Sequence, residues 1–184
     1  MTALGSVAMV SPTGQTAPLL LWALVALPAA AGLLLAAWDS SADRVAVPLA
    51  LVTAVAVLGL AVAAAITRPA SDVPFLLDTR FGLGVDLLSA LLLVTVAVVA
   101  TLVLLFGVAD PPEARPARYH ALMLLFLASV LVTVCATTLP TLLLGWELMG
   151  AGSNALIGVV WRRPDTVEAG LVAFLTTRAA DLGL

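Results

Sequence analysis

The sequence contains no lysine, and all eight of its basic residues are arginine. Charged side chains make up 10% of its 184 residues, where a water-facing globular surface needs about 25%. That shortfall points to lipid as the solvent. The formal net charge is −3, with no cluster of basic residues, so there is no electrostatic footprint for nucleic acid. Cysteine occurs once, at Cys135 inside an apolar run, which excludes a disulfide framework and a cysteine metal site made by this chain alone. Histidine also occurs once, at His120. Metal ligands are therefore scarce, and flavin, haem and iron–sulfur ligation find no support; no cofactor is expected on this chain. A cleaved signal peptide is disfavoured, because residues 1–38 hold no Lys or Arg to form its positive segment.

What remains is hydrophobic, 62% of the chain. A bilayer core about 30 Å thick takes around 20 apolar helical residues to cross. Five stretches qualify: Ala17–Trp38, Val45–Thr67, Leu87–Ala109, Tyr119–Leu139 and Thr141–Trp161. A sixth opens around Thr166–Glu168 and is still apolar at Leu184, with no cap signal or exit loop, so it reads as a helix cut short. The expected fold is an all-α integral membrane protein with five complete transmembrane helices and a truncated sixth.

Arginine placement orients the bundle. Arg44, Arg115, Arg118, Arg162 and Arg163 follow odd-numbered spans, against Arg68 and Arg80 on the other side. Five against two puts the odd-numbered loops in the cytoplasm and the N-terminus outside. Trp22, Trp38 and Trp161 lie near span ends, where indoles favour the interface. Between the second and third spans, Val73–Leu77 and Phe81–Val85 could pair as a short outer-face hairpin. Pro74 and two glycines leave an ordinary loop equally open.

The informative charges are those within spans. Glu147 lies seven residues into the fifth span, about 10 Å from its start. An acid at that depth must face protein or trapped water, be paired, or be protonated. Ala151, Asn154 and Gly158 follow on its face as a small, partly polar stripe that a neighbouring helix or a water chain can approach. In the sixth segment, Arg178 and Asp181 share a helix face and Thr177 lies one turn before Asp181, a local charge network. The functional reading is that Glu147 exchanges protons or biases a neighbour's protonation; the plain one is a structural Glu147–Arg178 ion pair.

Other residues read more simply. Asp86 is expected to start the third helix, since acids favour helix N-termini. His120 is expected as a solvated interfacial anchor and Cys135 as a packing residue. Arg162 and Arg163 read as a positive-inside anchor. The glycines of Gly150-Ala151-Gly152-Ser153 suit close helix packing, not a phosphate cradle, since no strand precedes them.

The run Leu144-Gly145-Trp146-Glu147-Leu148-Met149-Gly150 resembles the glycine–tryptophan–glutamate motif of the antiporter-like subunits of NADH:quinone oxidoreductase (respiratory complex I), in particular the large distal one. Ser153, Leu156-Ile157-Gly158 and Trp161 fit its continuation. Ala173-Phe174-Leu175-Thr176-Thr177-Arg178-Ala179-Ala180-Asp181 resembles the family's next helix, and Val85-Asp86-Leu87-Leu88-Ser89 the start of its third. The likeness covers Gly84–Leu184; residues 1–83 match only in hydrophobic layout. Multisubunit sodium/proton antiporters and membrane-bound hydrogenases share these motifs.

The resemblance implies the N-terminal part of a larger bundle with inverted five-helix repeats. Residues 1–83 would form two helices and the outer-face loop or hairpin, and residues 84–184 the start of the proton-conducting domain. It implies proton translocation through Glu147, Arg178 and Asp181, with Glu147 as the family's essential glutamate, whose lysine partner is not among these 184 residues. It implies an inner (plasma) membrane location and partner subunits of complex I carrying NADH, FMN, iron–sulfur clusters and quinone. The rival readings are a sodium/proton antiporter or hydrogenase subunit, and a helical assembly element without transport.

Overall fold

The structure is a computed structural model, and it describes residues 13–38, 42–75, 79–109, 114–160 and 164–181. Six helices and one hairpin follow in order: α1 (Thr13–Ala37), α2 (Asp43–Thr67), β1 (Ala70–Pro74), β2 (Arg80–Gly84), α3 (Leu87–Ala109), α4 (Pro116–Cys135), α5 (Leu139–Ile157) and α6 (Pro164–Asp181). Among the described residues, four stretches are long and apolar enough to cross a bilayer: Pro18–Ala37, Asp43–Thr67, Leu87–Ala109 and Pro116–Cys135. Those are the first four of the five expected spans. The fifth, α5, is a 19-residue helix that contains Glu147 and falls outside that set.

Small residues let the helices meet closely, since without water to drive association van der Waals packing must hold them. The buried face of α2 carries Ala46, Ala50, Ala54, Ala61 and Ala64 at helical spacing. On α1, a Cβ added at Gly32 would stand 2.8 Å from Leu125 Cγ and 3.0 Å from the Ala121 carbonyl of α4. One apolar cluster joins Leu21, Leu24, Val57, Leu93, Leu127 and Leu131 near the hairpin; a second joins Leu35, Leu104 and Leu124 at the other end. The outward faces stay apolar too: Leu91, Val99, Leu102 and Phe106 of α3 are all exposed, as lipid-facing residues should be.

The hairpin is present, with its first strand three residues earlier than expected. Strands β1 and β2 pair antiparallel, Ala70 opposite Gly84 and Val73 opposite Phe81. Pro74 takes the last position of β1, where a missing N–H costs least. Arg68, in the left-handed region at φ 46°, turns the chain out of α2 and bonds its N–H to the Ala64 carbonyl at 2.8 Å.

The hairpin then corrects the end of the fourth span. Helix α4 stops at Cys135 and not at Leu139. Residues 136–138 run extended instead, because β2 offers them backbone partners: Ala136 bridges Leu83, and Thr137 N–H donates to the Gly82 carbonyl at 3.0 Å. Thr138 Oγ1 donates to the Arg80 carbonyl at 2.8 Å, and Gly82 N–H donates to the buried Thr141 Oγ1 at 3.0 Å. The second strand is thus bonded to the α4–α5 connection and fixes where α5 begins.

Candidate functional site

Helix α5 is held against α4 by two glycines seven residues apart. A Cβ at Gly145 would lie 2.6 Å from Thr133 Oγ1 and 2.9 Å from the Thr133 backbone nitrogen; one at Gly152 would lie 3.3 Å from the Phe126 ring. By contrast, no described residue comes within 4 Å of a Cβ at Gly150, so among the described residues it is Gly152 of the expected glycine pair that packs. With Gly145 and Gly152 against α4, Glu147 turns toward another flank. It is the ninth residue of α5, eight steps or about 12 Å along a helix rising 1.5 Å per residue.

That flank receives α6. A Cβ at Gly170 would stand 3.3 Å from the Asn154 carbonyl and 3.5 Å from the Gly158 nitrogen, so the expected small stripe on α5 is where α6 docks. Ala151 is left exposed beside it. The helices run antiparallel, so eight residues past Gly170 and seven before Asn154 come together. Arg178 Nη1 and Glu147 Oε2 form an ion pair. The side chains are 33% and 43% exposed, so the pair lies at the open edge of the α5–α6 contact. The Arg178 guanidinium also lies 5.1 Å from the Phe174 ring centre, a cation–π distance that steadies its direction.

Not every expected member joins. The Thr177 hydroxyl turns back onto its own helix, donating to the Ala173 and Phe174 carbonyls at 3.0 and 2.9 Å. Asp181 ends α6 three residues after Arg178, and its side chain lies outside the described residues. So do Trp161, Arg162 and Arg163.

Asp86 starts α3 as expected, and its geometry is a reciprocal cap. Its carboxylate accepts from the Ser89 N–H and the Ser89 hydroxyl, both at 2.7 Å, while Ser89 Oγ accepts from the Asp86 N–H at 2.7 Å. These bonds, the Ser89 backbone N–H first, hold the Asp86 carboxyl below the ordinary aspartate value. Cys135 is fully buried, a packing residue.

His120 is a correction. It is no solvated anchor but 2% exposed. Helix α4 starts at Pro116, three residues before the expected start, so His120 falls in its inward stripe with Ala117, Ala121 and Leu124. Its Nδ1 bonds the Pro116 carbonyl at 2.7 Å, and its buried Nε2 has no hydrogen-bond partner among the described residues. The sequence reading also missed Asp43, which caps a helix other than its own: Oδ1 accepts from Ala117 N–H at 3.0 Å and Oδ2 lies 3.3 Å from Arg115 Nε. An acid at a helix start is legible in a sequence, but which helix it serves is not.

The Glu147–Arg178 pair lies within a segment with known relatives. Residues 136–184 match the transmembrane family of NADH:quinone oxidoreductase and Mrp antiporter. Over 111 residues the chain is 35% identical to NADH-quinone oxidoreductase subunit L of Mycobacterium tuberculosis, covering 59% of this chain and 17% of that one. It is 39% identical over 112 residues to the chloroplastic NAD(P)H-quinone oxidoreductase subunit 5 of Mesostigma viride, covering 60% and 17%. It is 36% identical over 99 residues to the F(420)H(2) dehydrogenase subunit L of Methanosarcina mazei, covering 53% and 15%. The chain thus spans about a sixth of the length of the curated relatives it matches. These relatives are subunits of oxidoreductase complexes, and both their family and the apolar helices mark this as a multi-pass membrane protein.

Proposed function

We propose that this chain is part of a proton-translocating membrane subunit of an NADH:quinone oxidoreductase, with Glu147, Arg178 and Asp181 as its charge network. The observation that carries this reading is the Glu147–Arg178 ion pair across α5 and α6. Charge in hydrocarbon is costly, so a pair left a third or more open at a helix edge calls for further protein or trapped water beside it. A cationic neighbour on that open side would compete with Arg178 for the carboxylate. Moving the carboxylate between two cations changes the proton affinity of the one it leaves, as in any coupled pair of titrating groups. Asp181 follows three residues after Arg178 in α6, a spacing that puts a second acid on the same helix face.

In this reading residues 84–184 begin the proton-conducting part, while residues 1–83 supply two flanking helices and most of the hairpin. Redox chemistry, with NADH, FMN, iron–sulfur clusters and quinone, belongs to partner subunits of the complex, and this chain contributes to the enzyme as a translocase subunit. The membrane is the inner (plasma) membrane, with the N-terminus outside and Arg44, Arg115 and Arg118 on the cytoplasmic side. A second reading, a sodium/proton antiporter subunit, is favoured by the Mrp antiporter in the description of the matching family.

The test replaces Glu147 with Gln in the assembled complex and follows acidification of inverted membrane vesicles during NADH oxidation. Pumping should be lost while the complex still assembles. Normal pumping by Glu147→Gln would remove the glutamate from the mechanism. A sodium dependence of the wild-type signal would favour the antiporter reading.

A further inference from the structure

We propose that the cavity between the end of α1 and the start of α4 is a headgroup site for an anionic phospholipid. The cavity has a volume of about 340 Å³, and Leu35, Trp38, Arg115, Arg118, Ala121 and Leu122 are among its lining residues. It lies where two spanning helices end, the depth at which lipid phosphates meet protein. Basic pockets between transmembrane helices are the established form of such sites. Trp38, exposed just past the last residue of α1, is the kind of amphipathic side chain that settles at this level.

The chemistry of the lining is layered. Leu35, Ala121 and Leu122 give an apolar wall, and two guanidiniums form the rim. Arg115 places its Nε on Asp43 and keeps its side chain 59% exposed. Arg118 is exposed and pairs with no carboxylate among the described residues. The charged residues of the described lining are the two guanidiniums, Arg115 and Arg118, a pair that can bond one phosphodiester. A phosphatidylcholine or phosphatidylethanolamine headgroup would bring a further cation against them; phosphatidylglycerol would not. Free phosphate would leave the apolar wall without a partner, whereas an acyl chain covers it. The start of α4 is not the source of attraction. Pro116 has no N–H, and the Ala117 N–H is already taken by Asp43.

Native mass spectrometry of the full chain released from detergent micelles tests this, with phosphatidylglycerol and phosphatidylcholine offered in turn. The expected result is preferential retention of phosphatidylglycerol, falling about five-fold on Arg118→Gln, the loss of one arginine's share of headgroup attraction. Leu122→Trp, which fills the cavity without removing charge, should lower retention as well. Arg44→Gln, on the same side of the bundle but outside the lining, should leave it unchanged. Equal retention of the two lipids, or retention indifferent to Arg118→Gln, would overturn the proposal. Displacement of phosphatidylglycerol by millimolar inorganic phosphate would also overturn it, because the site would then be one for a free anion.

Discussion

Gly145 of α5 lies so close to Thr133 of α4 that a single added methyl would stand 2.9 Å from the Thr133 backbone nitrogen. Side chains can rotate away from such a contact, but a helix backbone cannot. Gly145 also stands two residues before Glu147, so the closeness of these helices sets where the acid is presented.

Replacing Gly145 with Ala should therefore push α5 away from α4 and disturb the Glu147–Arg178 pair without touching either charge. Overpacking of this kind costs about 1–3 kcal/mol. Thr133→Ala should not rescue it, since the nearer obstacle left behind is main chain. Gly150→Ala is the control: no described residue lies within 4 Å of its added Cβ, and the helix propensity gained is worth up to about 1 kcal/mol. Thermal midpoints in detergent should fall for Gly145→Ala and hold or rise for Gly150→Ala.

The bond between the hairpin and α5 depends on one buried hydroxyl. Thr141 is 0% exposed, and its Oγ1 accepts from Gly82 N–H. Thr141→Val keeps the shape and strands the N–H, at a cost of about 1–3 kcal/mol. Hydrogen exchange at the Gly82 amide should accelerate markedly while amides in the middle of α3 stay protected. Unchanged protection at Gly82 would show that another acceptor holds the strand.

Asp43 acts on α4 through two contacts of unequal worth. Its cap on Ala117 N–H is of a type worth about 0.5–2 kcal/mol. Its exposed ion pair with Arg115 is worth about 0–1 kcal/mol. Asp43→Ala should consequently destabilise the bundle more than Arg115→Gln does, in chemical or thermal unfolding. The reverse order would make the ion pair the dominant contact.

The cap at Asp86 and Ser89 predicts a pH response. Its folded-state carboxyl is held below the ordinary 3.8, chiefly by the Ser89 N–H and then by the Ser89 hydroxyl. A lowered folded value gives stability that is complete above 3.8 and is lost as the pH falls through the folded value. Wild type should lose more thermal stability than Ser89→Ala when both are taken from neutral pH to below 3.8, because the variant has already given up the hydroxyl's share. Identical slopes in the two proteins would mean that the cap is not coupled to folding.

By itself the sequence determined the solvent and the all-helical class, and it named a candidate site. Apolar runs of bilayer length with so few charges admit only helices in lipid, and the glycine–tryptophan–glutamate run marked Glu147 before any geometry was known. It also placed Asp86 at a helix start and gave α5 a small-residue face at Asn154 and Gly158 open to a neighbouring helix or a water chain, because spacing along a helix fixes which residues share a side. What it could not fix were the relations between segments distant in the chain. The inward turn of His120, the service of Asp43 to α4 and the early end of α4 at Cys135 all depend on which helices touch and at what register. Periodicity says which face of a helix is apolar. Only three-dimensional packing, through close contacts at Gly32, Gly145 and Gly170, says what that face meets.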